Sequence, residues 1–133
     1  MTIIEILPHV AALAAGMMTV TIATKTNILK SNNIWLFPAM LSGLFLAWSL
    51  FAIVTDGPLG FWTEHSRNAW GNQIWFDLLL AITAAWTLIV PRAKVANMRV
   101  LPWLALILLT GSIGLLAMLS RVLYLESKAD IVS

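Results

Sequence analysis

Residues 74–90 read IWFDLLLAITAAWTLIV, an unbroken apolar run with a single carboxylate, Asp77, inside it. A helix needs about 17–25 apolar residues to cross the hydrocarbon core of a bilayer, and this run is long enough. Runs of the same kind occupy residues 3–24, 34–54 and 100–124. The pattern predicts an all-α fold, a four-transmembrane-helix bundle forming one integral membrane domain over residues 1–133. A short outward-facing interfacial helix is expected between the second and third spans.

Composition agrees with that class. Hydrophobic residues make up 60% of the chain and charged ones 11%, against about 25% charged in soluble domains. The mean hydropathy is +0.89. The chain has no cysteine, which removes disulfides, thiol catalysis and thiolate metal sites together. The first span begins with Glu5 in place of a basic cluster and is interrupted by Pro8 and His9, so it reads as an uncleaved helix.

The net charge is +2, and its distribution is more informative than its sum. Lys25 and Lys30 lie between the first two spans, and Arg92, Lys94 and Arg99 lie between the last two. By the positive-inside rule these links face the cytoplasm, most simply of a bacterial inner membrane. Both termini and the 55–73 segment then face outward. The basic residues are too few and too scattered for a nucleic-acid surface.

Prolines and small residues fit this layout. Pro38 and Pro102 fall near the starts of their spans and Pro91 at the end of the third, where a missing N–H is least costly. Asn27 with Ser31-Asn32-Asn33 is expected to form the first turn. Stripes at Ala12, Gly16, Thr19 and Ala23, at Ala39, Gly43 and Ala47, and at Thr110, Gly114 and Ala117 mark packing seams, with Gly111 beside the last.

Candidate functional residues gather around the outer half. An ionisable group inside a bilayer costs about 2.5–3.5 kcal/mol on insertion scales, so Asp77 is the first candidate. Gln73, Ala81 and Ala84 share its face, which is expected to point into the bundle, and Arg121 or Arg67 is the expected partner. If the chain is an enzyme acting on an isoprenoid or lipid, Asp77 serves as acid or base, His65 relays protons and Arg67 or Arg121 tunes them. If it holds a lipophilic ligand such as an isoprenoid, carotenoid, quinone or lipid, Trp48, Trp62, Trp86 and Gln73 are the contacts. Packing or lipid-facing indoles are the plainer account of Trp48 and Trp86, and belt anchoring of Trp35, Trp62, Trp70, Trp75 and Trp103. A small oligomeric proton-coupled transporter is a third reading. No metal site is expected, because Glu5-x-x-x-His9 and Glu64-His65 fall short of a di-iron pattern. No cofactor is identified.

The run GPLGFW at 57–62, GNQIWFDLLLA at 71–81 with Trp86 following, Pro102-Trp103, and LTGSIGLLAMLSR ending at Arg121 resembles a family of small bacterial multi-helix integral membrane proteins of uncharacterised function. It covers roughly the last two-thirds of the chain. The same Asp, Trp and Gly-x-x-Gly-Leu-Leu arrangement is similar to plant membrane proteins of neoxanthin synthesis, although Ala117 stands where a tyrosine is common there. The resemblance implies a polyene or isoprenoid partner and assigns no catalytic residue. Expected partners are the bilayer, a lipophilic small molecule, and further copies or a larger membrane complex. Of these readings, a binding or accessory role is the one taken forward.

Overall fold

The computed structural model describes residues 2–25 and 31–132, so Asn27 and Lys30 lie outside the described residues. Among the described residues six helices follow one another: α1 (Ile3–Thr24), α2 (Leu36–Asp56), α3 (Gly60–Ser66), α4 (Ala69–Val95), α5 (Val100–Thr110) and α6 (Ser112–Val132). No strand occurs among the described residues. Helices α1, α2 and α4 are long and apolar enough to cross a membrane, which makes three such helices among the described residues where the hydropathy pattern predicts four.

The difference lies at Gly111. The predicted helix over 100–124 is broken there, with Gly111 at φ 61°, a conformation that a side chain strongly disfavours. The chain then reverses. Ile107 of α5 joins Met118 and Val122 of α6 in one core, and Arg121 and Leu125 line the same cavity as Met98, Arg99 and Trp103. Helix α5 has 11 residues, about 16 Å at 1.5 Å per residue, roughly half of a 30 Å hydrocarbon core. α5 and α6 therefore form a helical hairpin whose two legs share the end where α4 finishes.

The hairpin tip is sealed by its own side chains. The Thr110 hydroxyl donates to the Leu106 carbonyl at 2.7 Å and accepts the Gly114 N–H at 3.0 Å, so one group serves the end of α5 and the start of α6. Gly114 is required by close approach, since an added Cβ would lie 3.0 Å from the Ile107 Cα and N. Such sealing matters where no water is present, because unsatisfied backbone groups in hydrocarbon cost several kcal/mol each.

Helix α2 packs antiparallel on α6. Two buried serines fix the register: Ser42 Oγ donates to the Ile113 carbonyl at 2.9 Å and Ser120 Oγ to the Trp35 carbonyl at 2.8 Å. The Trp35 and Tyr124 rings meet edge to face at 5.3 Å. Hydroxyls of this kind are a common interhelical link in membranes.

Helix α4 joins through its C-terminal half. Its Ile89 and Ala93 complete the core with Ile107, Met118 and Val122, flanked by Trp86, Trp103 and Leu115. At the other end α3 turns back onto α4. The Asn68 side chain caps α4 by accepting from the Gly71 N–H at 2.9 Å, and Asn72 Nδ2 donates to the His65 carbonyl at 2.9 Å. Gly71 leaves space for the Glu64 carbonyl, which a Cβ would strike. The short helix predicted between the second and third spans is α3. Helix α1 buries no residue at all.

Candidate functional site

Asp77 sits on the far side of α4 from every other helix in the core. At about 100° per residue it lies roughly 150° around the axis from the Ile82, Trp86, Ile89 and Ala93 stripe. It is exposed, as are Gln73, Ala81 and Ala84, so the face expected to point inward points away from the bundle. The reason is physical: α4 is apolar on both faces, so its packing surface follows shape and small residues instead of polarity.

Neither expected partner reaches Asp77. Arg67 is paired with Glu64 one turn away on α3, at 2.6 Å, with both side chains about 60% exposed. Arg121 lies over the Tyr124 ring at 5.6 Å. Because α6 descends from a tip level with Ile82, Arg121 is about 20 Å along the axis from Asp77, counting 1.5 Å per residue. Among the described residues Asp77 has no salt bridge and no side-chain hydrogen bond.

The remaining candidates are dispersed. His65 stacks on Trp75 with ring centroids 4.9 Å apart, and Phe61 flanks the same indole at 6.2 Å. Trp62 is exposed on α3, and Trp48 is exposed on α2 beside Phe51 at 5.3 Å. Trp86 packs against the core. Trp48, Trp62, Trp86 and Gln73 do not line one slot, and Asp77, His65, Arg67 and Arg121 do not form one constellation. No group of three His, Cys, Asp or Glu gathers among the described residues, and the His9 ring is held by the Glu5 carbonyl at 2.9 Å.

The polar chemistry concentrates at the opposite end. Arg92 grips Glu126 with two parallel bonds, Nε to Oε1 at 2.9 Å and a terminal nitrogen to Oε2 at 2.6 Å, tying the end of α4 to α6. Arg121 and Lys128 both approach the Tyr124 ring, at 5.6 and 5.7 Å. Between the α4–α5 link and α6 lies a cavity of about 330 Å³ lined by Asn97, Arg99, Pro102, Trp103, Arg121 and Leu125. Asn97 adopts φ 55° there, turning the link so that Arg99 opens α5. Sequence reading places Arg99 in a link and Arg121 at the other end, and it does not single out Tyr124, Glu126, Ser42 or Ser120. The signal that was present is Thr110-Gly111-Ser112, a break signature inside a hydrophobic run.

Scans of protein-family models, of curated proteins and of solved structures each return no match to this chain.

Proposed function

We propose that this chain is a non-catalytic integral membrane subunit that assembles laterally through the Asp77 face of α4. The observation that carries this reading is an exposed carboxylate, in the outer half of an apolar span, on the side that no helix of its own core covers. Left in hydrocarbon it is costly, and covering it with a partner helix removes that cost. Helix α1 is equally uncovered along its whole length. The dispersal of Asp77, His65, Arg67 and Arg121 works against an acid–base enzyme, whose groups must reach one reacting atom.

The charge pattern supplies the orientation. With α6 folded back, Arg121 and Lys128 join Arg92, Lys94 and Arg99 at the end where α2 begins, and Lys25 and Lys30 precede α2 in the chain. Among the described residues Arg92, Lys94, Arg99, Arg121 and Lys128 then lie on one side, with Arg67 opposite. That side is cytoplasmic by the positive-inside rule, most simply of a bacterial inner membrane. The N-terminus faces out and the C-terminus in, in place of two outward termini.

Extraction into native bilayer discs tests the assembly. Wild type is expected as a particle containing more than one copy or a second protein, and Asp77→Leu as a single 14.6 kDa chain. Wild type recovered as a lone chain overturns the reading. A cysteine introduced at Ser127 tests the orientation in a chain otherwise free of cysteine. Labelling only from the cytoplasmic side is expected.

A further inference from the structure

We propose that the cleft between the α4–α5 link and α6 binds the phosphate of an anionic phospholipid, with Arg99 and Arg121 as its ligands. The proposal rests on the orientation given above and is independent of lateral assembly.

Three observations carry it. The cleft is a cavity of about 330 Å³, large enough for a headgroup phosphate, and both arginines line it. Neither has a salt bridge among the described residues, and Glu126, a carboxylate at this end, is already taken up by the two bonds from Arg92. Guanidinium forks match phosphate oxygens in pairs, so two of them in one cleft suit a single phosphate.

The rest of the wall selects a lipid over a soluble anion. Pro102, Trp103 and Leu125 give the cleft an apolar side. From there α5 enters the bilayer with Leu101, Leu108 and Leu109 fully outward, 77–84% exposed, a surface for acyl chains next to the charged mouth. Half-buried Trp103 stands at the level where indoles anchor to headgroups. Basic pockets between helices on the cytoplasmic side are where anionic headgroups settle.

The test uses the full chain in phosphatidylcholine bilayers doped with phosphatidylglycerol, followed by native mass spectrometry of retained lipid. Wild type is expected to retain phosphatidylglycerol in preference to phosphatidylcholine. Arg99→Gln with Arg121→Gln should cut that preference about tenfold or more. Lys94→Gln, which removes a charge outside the cleft, should leave it unchanged. Helical content by circular dichroism must match wild type, and Arg99→Lys with Arg121→Lys, which keeps both charges, should restore part of the preference, whereas no recovery in a folded Lys variant overturns the charge-based site. Added inorganic phosphate separates the sources: no displacement supports a lipid held by headgroup and chains, and full displacement overturns it in favour of a soluble phosphate. Equal retention of both lipids by wild type, or an equal loss with Lys94→Gln, also overturns the proposal. An outward C-terminal label combined with Arg-dependent retention would overturn the orientation and not the site.

Discussion

The two ends of α4 live in different surroundings. Its C-terminal half, from Ile82 to Val95, is packed against α5 and α6 and clamped by the Arg92–Glu126 pair. Its N-terminal half carries Asp77 and Gln73 on an exposed face and touches mainly the short helix α3. One helix therefore has a structural half and an unpartnered half. Rigidity is built where the chain folds back on itself, and the ionisable group is kept where it does not.

That contrast is broken first by attacking the packed half. Met118→Ala empties a fully buried position and should cost about 2–5 kcal/mol, seen as a lowered unfolding midpoint in mild detergent. Leu80→Ala, on the exposed face of the other half, should shift the same midpoint negligibly. Equal losses from both would mean that the monomer core extends beyond the hairpin.

Gly111→Ala tests the reversal itself. A side chain at φ 61° should cost about 1–3 kcal/mol, with accessibility of an introduced Ser127→Cys changing sides if α5 and α6 straighten into one helix. Unchanged stability and labelling would refute the hairpin.

Smaller effects are expected from the polar links. Ser120→Ala removes the bond to Trp35 and, by the behaviour of hydroxyl bonds between membrane helices, should cost about 0.6 kcal/mol and no more than about 1.7. Arg92→Gln should cost about 0.5–1 kcal/mol, discounted because both partners are more than a third exposed. Its effect should shrink as salt is added. Smallest of all, Asp77→Asn should leave the unfolding of a detergent-isolated monomer unchanged while weakening assembly in bilayers. A large loss of monomer stability from Asp77→Asn would place that carboxylate inside the packed half after all.

Much of the helix layout is legible without coordinates. The predicted first span coincides with α1, the second overlaps α2, and the third lies within α4, since length and hydropathy alone decide whether a segment suits a bilayer. The helix α3 follows from the turn at Asp56-Gly57-Pro58 and the spacing after it. The fourth span fails because hydropathy is a sum along the chain and cannot register a change of direction, so a hairpin of two apolar legs looks like one long helix. The candidate site was less legible. Asp77 stands out by its type, yet its direction does not, and Arg121 was assigned to the wrong end along with the fourth span.

By itself the sequence determined helices long and apolar enough to cross a membrane, few charges, and cations biased toward particular connections. Those are properties of single residues and of their transfer between water and lipid, which do not depend on neighbours. Only the tertiary structure decided that Gly111 reverses the chain, that Ser42 and Ser120 set the register of α2 on α6, that Arg121 lines the same cleft as Arg99, and that Asp77 faces outward. In water, polarity marks which side of a helix is buried. In a bilayer both sides are apolar, so the choice passes to shape, small residues and a few hydrogen bonds, and these exist only once the helices have met.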